Sequence, residues 1–194
     1  MRLTRRKHLS REPLKGGGSA LRVLSFVVVV GMFLSGFSVQ TIKAQAYPIK
    51  PEIQYNDGIP DDIREYCEEI GAEFDICPEL LESIAYQESR FIPNVKNKNC
   101  WGLMQVNVKV HAERIKKCGY VKEDMLESYP CIYVAADLLA DLFEHYGDDD
   151  PIILMLYSGA GWDAVELYKE QGTMTDYCFD VLTRSAEYER IHGK

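Results

Sequence analysis

The chain has 194 residues, with 30 acidic side chains against 22 Lys and Arg and a formal net charge of −8. The basic residues crowd the beginning: residues 1–46 hold eight Lys or Arg and one acid, and taking their net +7 from −8 leaves −15 on the remainder. A surface that acidic repels nucleic acid and anionic lipid, so no nucleic-acid partner is expected and a neutral or small partner is favoured.

In chain order, "MRLTRRKHLSREPLK" is basic, "VLSFVVVVGMFLSGFSV" (23–39) is an apolar run of 17 residues, and "AQA" (44–46) suits signal cleavage. This is the layout of a secretory signal. The apolar run also reaches the lower edge of a spanning helix, which leaves an uncleaved anchor, and hence a membrane tether, as the alternative. On either reading the basic flank stays inside and the rest is exported, secreted or held at the cell envelope. Residues 47–59, "YPIKPEIQYNDGI", are rich in turn formers and read as a spacer. Residues 60–194 suffice for one domain with its own core, expected to act as a monomer.

The rest of the chain has helical periodicity. Ile63, Tyr66, Cys67 and Ile70 follow the i, i+3, i+4, i+7 rule, with Asp61 and Asp62 at the start and Gly71 near the end. Pro78 opens a second helix, where its missing N–H is not needed. Residues 92–102 form a loop dense in Asn, Lys, Pro and Gly, and a helix follows around 109–118. A long apolar-periodic segment covers 132–146 and is closed by Gly147. "PIILMLY" (151–157) is short and central, and two further helices lie near 162–170 and 176–191. With no sustained strand alternation, the fold class is mainly α: a compact helical domain.

Six cysteines follow the leader, no two closer than ten positions, so no C-x-x-C motif is present. An even count in an exported chain suggests disulfides. Cys118 with Cys131, which bracket a short loop between helical segments, is the favoured pair, and buried reduced thiols are the alternative. His111 and His145 lack metal-ligand spacing, and His192 falls in a tail expected to fray. "GGG" at 16–18 lies in the leader, so no metal and no organic cofactor are expected.

One residue breaks the pattern. In "LLESIAYQESRF" (80–91), Leu81, Ile84 and Ala85 form an apolar stripe whose next position is Glu88. Apolar surroundings and the negative end of a helix both disfavour its charged form, which suits a general acid. The plainer reading is an ion pair with nearby Arg90.

"CPELLESIAYQESRFIPNV", "CWGLMQVN", "MLYSGAG" and "DYCFDVLTRSAEYER" resemble, in that order, the motifs of the lytic transglycosylase family of the soluble type, whose fold is related to goose-type lysozyme. The resemblance covers roughly residues 60–190. It implies cleavage of the β-1,4 bond between N-acetylmuramic acid and N-acetylglucosamine in peptidoglycan glycan strands, with a 1,6-anhydro-muramoyl product. By this likeness Glu88 is the lone catalytic acid and base. Ser89 would orient it or touch the sugar, Met104 and Gln105 would line the saccharide groove, and Tyr157 and Tyr177 would stand near the acid. Where the family commonly has Asn after that Tyr, this chain has Ser158, whose shorter reach puts substrate positioning in doubt. Trp101 and Trp162 are candidates for stacking on sugar faces, or for packing. No second acid stands in a recognisable motif, Asp137 and the run Asp148, Asp149, Asp150 reading as surface charge. A hydrolytic muramidase on the same fold and a non-catalytic glycan-binding or scaffold protein remain as alternatives.

Overall fold

Among the described residues the fold comprises seven α-helices, one of which is buried along most of its length. Among residues 57–194, which are the residues described by the structure, a computed structural model, they are α1 (Asp61–Phe74), α2 (Pro78–Ser89), α3 (Ala112–Lys117), α4 (Ser128–Tyr146), α5 (Asp150–Tyr157), α6 (Trp162–Gln171) and α7 (Asp176–His192). The expected signal or anchor, 1–46, and most of the spacer lie outside the described residues. No helix among the described residues is long and apolar enough to cross a membrane.

α2 is the enclosed helix: every residue from Glu79 to Ala85 is buried. α1 and α7 pack along it, and α4 bridges α1 and α5. Leu80, Leu81 and Ile84 of α2 meet a core that includes Ile132, Leu139, Ile153 and Leu154, all inaccessible to solvent. Each such side chain contributes about 1.5–3 kcal/mol. α1 and α4 are also joined at their surfaces, where Tyr133 donates to Glu73 (2.8 Å) and Tyr129 to Glu69 (3.1 Å). Arg114 ties α3 to α4 through Asp137 and Asp141, so Asp137 is a structural partner rather than a free surface charge.

The helix ends follow local chemistry. Pro78 opens α2, and Arg90 closes it in a left-handed conformation (φ 55°) with its N–H bonded to the Tyr86 carbonyl at 2.9 Å. Thr175 caps α7 by accepting from the Cys178 N–H, and Asp149 caps α5 by accepting from Ile152. α1 ends at Phe74, so Gly71 falls near its end as expected. The glycine is needed there for packing, because a Cβ would stand 2.7 Å from the Ile76 carbonyl oxygen.

Several other expectations are corrected. The loop after α2 contains a small antiparallel sheet, β1 (Lys96–Asn97), β2 (Cys100–Trp101) and β3 (Val106–Asn107), ordered β1-β2-β3 with Lys96 opposite Trp101 and Cys100 opposite Asn107. Strands of two residues are too short to show alternation in sequence. α4 begins four residues before the expected 132, preceded by a 3-10 turn at Lys122–Leu126. All six cysteines are free thiols. Cys131 accepts from the Met104 N–H (3.3 Å) and faces the Trp101 carbonyl, whereas Cys118 lies near Asp137 and Arg114. The expected Cys118–Cys131 bridge is therefore not formed. Asp57 and Ile59, read as spacer, pack into the domain, and the side chain of His192, expected to fray, is only 6% exposed.

Candidate active site

Glu88 occupies the last turn of α2, on the face opened by Leu81, Ile84 and Ala85. It is half-buried. Tyr177, in the first turn of α7, donates its hydroxyl to Glu88 Oε1 at 2.7 Å. Burial pushes the Glu88 carboxyl above its ordinary value, and the Tyr177 bond partly offsets this. Burial and the Glu88 charge push the Tyr177 phenol far up, so it remains a donor.

The expected alternative partner is elsewhere. Arg90 lies over the Tyr86 ring (4.3 Å to the centroid), and Arg184 of α7 lies 3.9 Å from the same centroid. Among the described residues, no ion pair reaches Glu88, and burial and Tyr177 are the influences on its proton affinity. No carboxylate among the described residues adds to the shift.

Tyr157, at the end of α5, donates to the Met104 carbonyl at 2.8 Å. Burial and the Glu88 charge raise its phenol as well. Glu88, Tyr157 and Tyr177 thus come from α2, α5 and α7 to share one electrostatic neighbourhood. The loop bearing Met104 is brought in by the Tyr157 bond and by Cys131 beneath it. Gly102 permits that approach: its φ is +80°, and a Cβ there would collide with the Met125 carbonyl.

The remaining expected residues divide. Met104 has no exposed surface, so its side chain is core while its backbone serves the loop. Gln105 is held at φ +49° and uses its amide N–H groups within its own loop, on Gly102 O (2.9 Å) and Val95 O (3.3 Å). Ser89 Oγ donates to Ala85 O (3.0 Å), the plain helix-end arrangement, rather than to Glu88. Ser158 is exposed and donates to Met155 O (3.0 Å). Trp101 lies beneath Lys96 Nζ (4.0 Å to the ring centroid), and its indole N–H donates to Lys98 O. Trp162 is 49% exposed beside Tyr146.

Among the described residues three acids are buried that the sequence did not mark: Asp150, expected as surface charge, is 7% exposed. Glu79 is 1% exposed and Glu82 is not exposed at all. Glu79 and Glu82 carried no local signal, because Leu80, Leu81, Ile84 and Ala85 line one side of α2 and the two acids lie on the other. Burial, with Glu79 beside it, pushes Glu82 up to about 8, and neither of its oxygens has a hydrogen-bond partner. Glu79 is held at about 2: burial opposes the charge, but Lys194, His192 and the Cys77 thiol donate to it. Cys77, Glu79 and Glu189 place ligand atoms within 4.8 Å of one another. Here Cys77 acts as a protonated donor to both acids, at 3.1 and 3.4 Å.

Residues 65–173, more than half of the chain, match the family described as the transglycosylase SLT domain. Glu88, the 102–105 loop and Tyr157 fall inside the match, while Tyr177 and the rest of α7 follow it. No curated protein matches the chain.

Proposed function

The chain belongs to the transglycosylase SLT domain family, and from that premise we propose that it is an exported lytic transglycosylase that cleaves the MurNAc-β-1,4-GlcNAc bond of peptidoglycan. The observation that carries this reading is the state of Glu88: a half-buried carboxyl, raised in pKa, that accepts from Tyr177 at 2.7 Å, with no acid among the described residues acting on it.

In the proposed reaction the protonated Glu88 gives its proton to the glycosidic oxygen as the bond from that oxygen to the muramoyl anomeric carbon breaks. The resulting carboxylate removes the proton from the muramoyl C6 hydroxyl, whose oxygen bonds to the anomeric carbon and closes the 1,6-anhydro ring. The acid is regenerated and no water is consumed. Tyr177 orients the carboxyl and stabilises its charged form between the two proton transfers. Hydrolysis by the ordinary glycosidase routes needs two carboxyl groups, about 5–5.5 Å apart for retention or about 6.5–9.5 Å for inversion. A single acid suits an internal nucleophile supplied by the sugar. The exposed Ser158, bonded to its own helix end, favours the non-catalytic alternative to the extent that substrate contact there is weakened.

Export rests on residues 1–46 as a signal or anchor, which would place the domain with the wall it cleaves. Digestion of purified wall by the full chain, with mass spectrometry of the products, tests the reading. Anhydro-muramoyl ends are expected. Reducing ends would replace it with the muramidase alternative, and intact wall with the binding one.

A further inference from the structure

α2 and α7 run antiparallel, and each end of the pair is closed by directional bonds. At one end the start of α7 meets the end of α2 through Tyr177 and Glu88, 2.7 Å apart. At the other, His192 Nδ1 (2.8 Å) and Lys194 Nζ (2.5 Å) both donate to Glu79 Oε1 at the start of α2, while the Cys77 thiol takes its second oxygen (3.1 Å). His192 Nε2 stands 2.7 Å from Asp57 Oδ2 and 2.8 Å from Arg64 Nη1, and Arg64 Nη2 donates to Asp57 Oδ1 (2.8 Å). The segment leading into α1, the start of α2 and the end of α7 therefore meet in one charged knot. Its acids Asp57 and Glu79 are nearly inaccessible to solvent.

Burying so many charges is a poor route to stability, since desolvation consumes most of their attraction and apolar packing would serve as well. What charged, geometrically selective bonds give is register. The apolar contacts between the helices are non-directional and tolerate sliding. Glu79 and Glu88 are nine residues apart on a rigid helix, about 13 Å along its axis. A displacement of α7 at one end is thus passed to Tyr177 at the other.

We propose that His192 and Lys194 are positioning residues for Glu88: by locking the end of α7 to Glu79 they fix the helix register that brings Tyr177 onto the catalytic carboxyl. The proposal rests on the reading of Glu88 as the acid. Both residues lie beyond the matched stretch, so the family match does not assign them this role.

The test uses the full chain with 13C-labelled Glu and follows the titration of Glu88, identified by its loss in Glu88→Gln, alongside wall digestion. Lys194→Ala is the milder variant, its side chain being 38% exposed, and His192→Ala the stronger. Because Tyr177 is the influence that lowers the Glu88 pKa, Lys194→Ala is expected to move that titration upward by about half a unit or more. kcat should fall about fivefold with KM unchanged, as expected when a group acts only on the reacting centre. Lys194→Arg should restore both. In a Tyr177→Phe background the same substitutions should change neither quantity further, since their effect passes through the lost hydroxyl. An unmoved Glu88 titration, or a further loss in that background, overturns the positioning role even where the melting temperature falls. Absence of anhydro products from the unsubstituted chain overturns the catalytic reading itself and, with it, any catalytic use of the clamp.

Discussion

Glu79 at one end of α2 and Glu88 at the other are both drawn out of water, yet their carboxyl groups are pushed in opposite directions. Glu79 accepts from an ammonium, an imidazole and a thiol and is held at about 2. Glu88 accepts from one neutral phenol and is raised. Between them Glu82 is fully enclosed without a hydrogen-bond partner, with Arg64 no nearer than 3.9 Å, and is pushed to about 8. Burial pushes each carboxyl up, and the donors decide whether it stays up. A raised carboxyl is thus not by itself an active-site mark. Glu82 is perturbed but sealed in, whereas Glu88 is perturbed, half-exposed and oriented by a phenol.

Removing each acid in turn sharpens this contrast, and the largest effect is expected at Glu88. Glu88→Gln should reduce anhydro-product formation by about a thousandfold or more, measured on purified wall. Its folded pKa is raised, so its contribution to stability is complete below the unfolded value and declines as pH rises. The variant should therefore melt no lower than the parent at pH 7. A marked loss of stability would make Glu88 a structural residue like Glu79.

Next in size is Glu79→Gln, which leaves buried donors without their anion and should cost about 3 kcal/mol at pH 7 in denaturant unfolding. Glu79 has a depressed pKa. Its contribution is present above the unfolded value near 4.5 and disappears as pH falls towards 2, so parent and variant should converge in acid. Glu82→Gln has the opposite sign. The parent loses stability as pH rises from about 4.5 through about 8, and the variant should gain about 2 kcal/mol at pH 9 with no gain at pH 4. An unchanged pH dependence would mean that Glu82 has acquired a charged partner. The smallest effect is expected from Tyr177→Phe, which should lower kcat about tenfold, near 1.4 kcal/mol, and move the alkaline limb of the kcat profile upward.

Glu88 was legible because its helix carries a periodic apolar stripe and a carboxylate on that stripe is conspicuous. The same rule passed over Glu79 and Glu82. They sit on faces that a two-sided helix would expose, and α2 is enclosed by α1, α4 and α7 together. The short strands after α2 left no signal, being two residues each. The cysteine count suggested bridges, but the pairing argument used distance along the chain, and α3 and α4 point Cys118 and Cys131 into different surroundings.

Local sequence determined which segments are helices, where Pro78 starts α2, and that an acid would occupy a packed face near that helix's end. Periodicity and terminal chemistry act within a few residues, and the chain carries them explicitly. Tertiary structure alone decided which acids would be satisfied, which would be sealed in and which would be met by Tyr177. It also drew His192 and Lys194 back to Glu79 across more than a hundred residues. A carboxyl's proton affinity depends on the atoms within a few ångströms of it, and folding chooses those atoms from distant parts of the chain.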